Sequence, residues 1–261
     1  MPAFTDQLNR TISLDHPPRR IISLVPSQTQ LLHALGLEEE VIGITKFCVH
    51  PDAWFHHKTR VGGTKDIRTD IIQSLQPDLI IANKEENQQQ QIEALAAHYP
   101  VWISDVANLE DALAMVKALG TITGRTHEAL SLAGQIGQQF QELAPLHATL
   151  LRTAYFIWRA PWMTAGGDTF IHHMLEQCRF VNIFADMSRY PSITLDELAD
   201  RRCELVLLSS EPYPFRDKHI AEIREVLPAA RIRLVDGEMF SWYGSRLLES
   251  PAYFRRLMES L

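Results

Sequence analysis

The chain has 261 residues, 46% of them apolar and 22% charged, with a formal net charge of −7. That length holds one large domain or two lobes of about 120 residues each. The acidic balance argues against a nucleic-acid grip, which needs clustered positive charge, and against a polybasic membrane anchor.

No apolar run approaches the roughly 20 residues of a membrane span. The first twenty residues carry Asp6, Arg10, Asp15, Arg19 and Arg20 and lack the apolar centre of a secretory signal. The chain is therefore expected to be cytoplasmic, or periplasmic if a leader has been removed, and Met1 favours the former. Cys48, Cys178 and Cys203 are few, odd in number and far apart. They exclude a disulfide scaffold, show no zinc-knuckle spacing and are expected as reduced thiols.

In chain order, Arg20-Ile-Ile-Ser-Leu-Val25 reads as a buried strand stopped by Pro26. Ser27 or Thr29 then caps a helix through Leu31, Leu32 and Leu35, and Gly36 ends it. Residues 41–44 form a short strand. Residues 69–75 have helical spacing, and 79–82 form a strand after Pro77-Asp78. Residues 87–97 are helical again and 101–103 are a strand. This alternation predicts a parallel sheet with helices on its faces. Residues 109–123 are then helical. A rod follows over 126–143, apolar at 129, 130, 132, 133, 136, 140 and 143 and ended by Pro145. A second series follows: strand 153–158, helix 169–178, strand 205–209, helix 218–226, strand 232–235 and a last helix near 245–259.

The expected architecture is two Rossmann-like α/β lobes, residues 1–124 and 147–261, joined by a single long α-helix over 125–146. Ligands of such sheets sit at the carboxyl ends of strands. Here these ends are Val25-Pro26-Ser27, Ile81-Ala82-Asn83, Trp158 onward and Ser209-Ser210-Glu211. They are the expected walls of a cleft between the lobes. A continuous helix is stiffer than a coil linker, so lobe rotation on ligand binding is expected to be a few degrees. Solution scattering should give nearly equal radii of gyration with and without ligand, and a contraction of several ångströms would contradict this.

Several ordered segments carry a family resemblance: residues 20–32, Ala34-Leu-Gly-Leu37, Val41-Ile-Gly43, Val61-Gly-Gly63, Ile71 to Leu75 and Pro77-Asp-Leu-Ile-Ile81. In the second half they are Thr164-Ala-Gly-Gly167, Asn182-Ile-Phe184 and Ile193-Thr-Leu-Asp-Glu197. The set, spanning about residues 19 to 260, resembles the helical-backbone (class III) substrate-binding proteins of ABC importers for cobalamin, ferric siderophores and haem. The resemblance implies the same two-lobe fold, a metal chelate as cargo rather than a covalent cofactor, a membrane permease as partner, and a monomer.

A large planar chelate is held mainly by apolar and aromatic walls. Trp54, Trp158, Trp162, Tyr190, Phe240, Trp242 and Tyr243 are expected in or beside strand-end loops, with ordinary core or rim packing as the plainer reading of each. By the resemblance, Trp162 and Tyr190 match ligand-facing aromatic positions, whereas Asn83 stands where cobalamin-binding members carry a tryptophan. Lys84 and Glu85, with Glu86, are candidates for bonding amides or carboxylates on a ligand rim, or else form a solvated turn. Arg159 is a candidate partner for an acidic ligand, or a surface charge. Asp70 and Glu197 match the two acids with which family members dock on permease arginines. Each also reads as an acid at a helix N-terminus.

Cys48, His50, His56-His57 and His172-His173 invite a divalent-metal carrier as an alternative. Adjacent histidines on a helix point about 100° apart, however, and neither HExxH nor Cys-x-x-Cys occurs, so no metal ligand is assigned. Gly-x-Ser-x-Gly and Walker glycine loops are also missing. No catalytic residue is assigned. An enzyme or cytoplasmic chelate handler on the same scaffold is the remaining alternative.

Overall fold

The computed structural model describes residues 2–143 and 150–261. Residues 144–146 of the expected helix, with Pro145, lie outside the described residues. The chain divides into two compact units. Unit 1 comprises Met1–Val106, Glu110–Gln135 and Tyr243–Arg246; unit 2 comprises Ala107–Leu109, Ile136–Trp242 and Leu247–Leu261.

Unit 1 opens with a small antiparallel pair, β1 (Ala3–Thr5) and β2 (Thr11–Ser13). An alternating series follows: β3 (Ile21–Ser23), α1 (Pro26–Ala34), β4 (Val41–Ile44), α2 (Asp52–His57), β5 (Thr59–Arg60), α3 (Thr69–Leu75), β6 (Leu79–Asn83), α4 (Gln89–Ala96) and β7 (Val101–Ser104). The sheet runs β5-β4-β3-β6-β7, and every pairing is parallel. Every residue of β3, β6 and β7 is buried. This explains their continuous apolar runs, because a parallel strand is covered on both faces. Strand order reverses between β3 and β6, the position where open α/β sheets open a crevice for ligands. Pro26 sits in the first turn of α1, where its missing N–H costs nothing. Gly36 follows the helix at φ +75°, a left-handed exit suited to glycine.

Helices α5 (Leu109–Ile122) and α6 (Thr126–Leu143) come next. A Cβ on Gly120 would lie 2.1 Å from Ala129 Cβ, so this glycine lets the two helices touch. The division between units falls inside α6, after Gln135. Along α6, Ala129, Ala133, Ile136, Phe140 and Leu143 are buried. Leu130, expected on the apolar stripe, is 52% exposed.

Unit 2 contains β8 (Arg152–Trp158), β9 (Trp162–Thr164), α7 (Phe170–Gln177), β10 (Val181–Asn182), β11 (Ser192–Ile193), α8 (Leu195–Asp200), β12 (Leu205–Ser209), α9 (Asp217–Val226), β13 (Arg231–Val235), α10 (Glu238–Ser241) and α11 (Ser250–Glu259). Its sheet runs β11-β9-β8-β12-β13, with β10 also on β8. β8, β12, β13 and β10 are parallel, whereas β9 and β11 are antiparallel additions. Successive crossovers leave β8 in opposite directions, so the switch point of this sheet lies between β8 and β12. The expected last helix is divided into a 3-10 turn, Ser245–Leu248, and α11. Pro251 suits the first turn of α11 but not a helix interior.

The Gly166-Gly167 segment is a close-packed crossing. Their N–H groups donate to Arg189 O and Met187 O, each at 2.8 Å. A Cβ on Gly167 would lie 2.1 Å from Ala185 O.

Candidate functional site

At the carboxyl edge of unit 1, the run Asn83-Lys-Glu-Glu-Asn87 forms a closed turn. Asn83 is 3% exposed. Its Oδ1 accepts the N–H groups of Glu85 (2.8 Å) and Glu86 (3.0 Å), and its Nδ2 donates to Ser104 O and Oγ. Asn87 Oδ1 in turn accepts the Asn83 N–H at 2.8 Å, and its Nδ2 donates to Thr64 O at 3.0 Å. The sequence sets Asn83 in a cleft wall, whereas in the structure its amide is engaged in holding the turn. Lys84 pairs with Asp105 at 2.6 Å. Lys65 Nζ donates to the Glu85 carbonyl. Burial pushes the Glu86 carboxyl upward, against the charge of Lys65. Asn83, Lys84, Asn87, Arg10, Ile92 and Ile103 line a pocket of about 320 Å³ within this unit. Pro26 and Ser27 begin α1 at the neighbouring strand end, and Tyr243, 5% exposed, is grouped with unit 1.

Four of the expected loop aromatics, Trp54, Phe240, Trp242 and Tyr243, are buried, and the first two lie in short helices. Trp54 lies in α2, 1% exposed, with its ring 5.3 Å from that of His33. Phe240 lies in α10, fully buried, 5.1 Å from Tyr155 and 4.6 Å from Phe254. Their helices are six and four residues long, too short to show a period that would identify a buried face. Trp242, 7% exposed, donates its indole N–H to Glu211 Oε1 at 2.8 Å.

At the β8–β12 switch point of unit 2 the structure gathers Trp158, Arg159 and Trp162 with four residues that the sequence reading does not single out, Tyr213, Phe215, His219 and Glu222. Trp158 is 40% exposed and meets Tyr213 edge to face at 5.5 Å. Tyr213 packs on Phe215 at 4.8 Å, and Phe215 stacks on Trp162 at 5.9 Å and 9°. His219, 2% exposed, lies behind Tyr213 and Phe215. Arg159 sits 5.1 Å over Trp162, but its guanidinium is held by Glu222, with Nε–Oε2 2.9 Å and a second contact from Nη2 to Oε1. That pairing lowers the Glu222 carboxyl below its usual range. Arg159, expected as a partner for an acidic ligand, thus already has a carboxylate. The signal for Tyr213 and Phe215 is Glu211-Pro-Tyr-Pro-Phe215, an aromatic run fixed by prolines just past a buried strand; His219 and Glu222, on the helix after it, carry none. Tyr190 is half-buried and precedes Pro191, whose carbonyl accepts the Thr164 N–H.

Asp70 is exposed and paired with Arg68 through two bonds, 3.0 and 2.8 Å, which lower its carboxyl. Glu197 Oε2 accepts the N–H (2.6 Å) and Oγ–H (3.1 Å) of Thr194, capping α8.

Among the described residues, no three His, Cys, Asp or Glu side chains gather to hold a metal ion. His172 and His173 both approach Glu176, at 3.4 and 3.5 Å. The three cysteines are free and buried. Cys48 lies between Thr29 Oγ1 and Thr45 Oγ1, at 3.0 and 3.1 Å. Burial raises all three thiols, Cys203 to about 11. At pH 8 about one Cys203 in a thousand would be thiolate. Alkylation of the folded protein by iodoacetamide should therefore be slow at all three and fast after denaturation. Because these folded-state pKa values are raised, the thiols' contribution to stability is full below the ordinary thiol pKa and lost as pH rises above it. Denaturant midpoints should fall between pH 8 and pH 10.

Two units with open, mainly parallel sheets, each with its switch point at strand carboxyl ends, define a two-lobed α/β ligand-carrier fold. The chain belongs to the periplasmic binding protein family, whose sequence profile matches residues 21–235. It is 27% identical over 240 residues to the vitamin B12-binding protein of Pectobacterium carotovorum subsp. carotovorum, covering 88% of this chain and 85% of that one. The periplasmic vitamin B12-binding protein of Vibrio cholerae shares the fold at TM-score 0.81 and 20% identity, over 94% of this chain and 98% of that one. The periplasmic heme-binding protein of Roseiflexus sp. RS-1 matches at TM-score 0.81 and 18% identity, over 93% and 98%.

Proposed function

We propose that the chain is the substrate-binding protein of an ABC-type importer and that its cargo is a planar metal chelate of the corrin or haem class. The observation that carries the reading is the shelf of Trp158, Tyr213, Phe215 and Trp162 at the switch point of unit 2. A tryptophan 40% exposed above further aromatic rings offers a broad apolar face that a flat macrocycle covers. The relatives named for vitamin B12 and heme support the same cargo class, and family membership supports work in the periplasm. Titration of the protein with cyanocobalamin and with hemin, followed by tryptophan quenching and chelate absorbance, tests this. One-to-one binding of one of them at micromolar or tighter affinity is expected, and binding of neither would overturn the reading.

Within this reading Asp70 and Glu197 dock the permease. Reversing both (Asp70→Lys with Glu197→Lys) should leave chelate affinity almost unchanged and cut permease binding strongly, since repulsion replaces attraction at two contacts. Glu197→Lys also uncaps α8, at about 1 kcal/mol. Glu197→Gln keeps a cap acceptor and separates the two effects. Equal permease binding by the double variant and the wild type in a pull-down would remove the docking assignment.

A further inference from the structure

The hydrogen bonds around His219 fix more than packing. Arg216 N–H points at His219 Nδ1 at 2.9 Å. A backbone N–H can only donate, so Nδ1 must be the unprotonated acceptor. The ring proton is then on Nε2, which lies 3.1 Å from Tyr213 Oη and donates to it. Tyr213 Oη thereby accepts a bond from this buried ring, and no acceptor among the described residues takes its own proton. Burial and the neighbouring Lys218 lower the His219 pKa, which keeps the imidazole neutral near pH 7 and preserves this arrangement.

We propose that His219 is a positioning residue that turns Tyr213 into a directed hydroxyl donor on the aromatic shelf, recognising an acceptor oxygen on the rim of the bound chelate. This deepens the proposed function and rests on it. Trp158, Phe215 and His219 all pack against the Tyr213 ring, so the hydroxyl has little freedom except rotation about its C–O bond. A corrin amide carbonyl and a porphyrin carboxylate supply the same acceptor chemistry. The shelf would therefore select chelates that present an oxygen at the edge of the flat face, whichever metal they hold.

The test uses the intact protein with three probes: cyanocobalamin, hemin, and iron octaethylporphyrin, which has a comparable face and no rim oxygen. Tyr213→Phe keeps the ring and removes only the hydroxyl. It should weaken the oxygen-bearing probe that the wild type binds by about three- to tenfold, one hydrogen bond's worth, and leave iron octaethylporphyrin unchanged. His219→Asn retains an acceptor for the Arg216 N–H but cannot reach Tyr213, and should show part of the same selective loss. Nitrogen NMR of the labelled imidazole, which needs no ligand, should report protonated Nε2 and bare Nδ1 across pH 6 to 8. A protonated Nδ1, equal affinities of Tyr213→Phe and wild type, or an equal loss with iron octaethylporphyrin would each overturn the inference while leaving chelate binding standing. Failure of the wild type to bind either oxygen-bearing probe would overturn both.

Discussion

Trp158→Ala should lower affinity for the bound chelate by about 1–3 kcal/mol, roughly 5- to 150-fold, the loss expected for one buried aromatic contact at the centre of a binding surface. Trp158 is the cleaner choice over Trp162. Its ring is 40% exposed, so truncation removes area that the ligand would cover rather than area already inside the fold. Trp162 stacks on Phe215, meets Phe156 at 5.3 Å and packs against the core of unit 2, so its removal would mix binding with stability. The denaturant midpoint of Trp158→Ala should move little. His172→Ala with His173→Ala is the control, because these rings face Glu176 on α7 and should leave affinity unchanged. A reverse ranking in the hemin and cyanocobalamin titrations would shift the reading to a divalent-metal carrier.

Phe240→Ala should act on the other axis. The ring is fully buried between Tyr155 and Phe254. Truncating such a side chain removes its transfer free energy and leaves a cavity that rigid neighbours fill only in part. A loss of about 3–5 kcal/mol in unfolding free energy is expected, a large share of the 5–15 kcal/mol that holds a typical domain. Chelate affinity at a temperature where the variant remains folded should change little. A stable variant with lost affinity would return Phe240 to the ligand wall.

The two predictions mark where the sequence is informative. The apolar runs of β3, β6 and β12 read directly as strands because both faces are covered, and the stripe of α6 reads as a helix because eighteen residues display the period. Strands of two or three residues, such as β9, β10 and β11, have no period to display and are specified by partners distant in the chain. The same holds for site residues. Trp158 and Trp162 are found from their place at a strand end. Trp54 and Phe240 share that sequence context but are turned inward by short helices. Asn83, Arg159 and Glu197 have chemistry suited to a partner outside the chain, yet Ser104, Glu222 and Thr194 already occupy them. Such pairings join residues 3 to 63 positions apart, and sequence spacing predicts only the shortest. The direction of the Tyr213–His219 bond is set by Arg216, whose N–H fixes which imidazole nitrogen carries the proton.

The turn closed by Asn83 and Asn87 has a consequence for how this protein tolerates change. Its backbone is shaped by two amides and the N–H groups they hold, whereas the Lys84 side chain is exposed and pairs with Asp105. Lys84 is therefore a replaceable part on a preset frame, whereas Glu86, whose carboxyl is buried, is not. A library randomised at residue 84 should retain the parental melting temperature in most members while varying the charge displayed at the edge of unit 1. Randomising Asn83 or Asn87 should instead yield mostly insoluble protein.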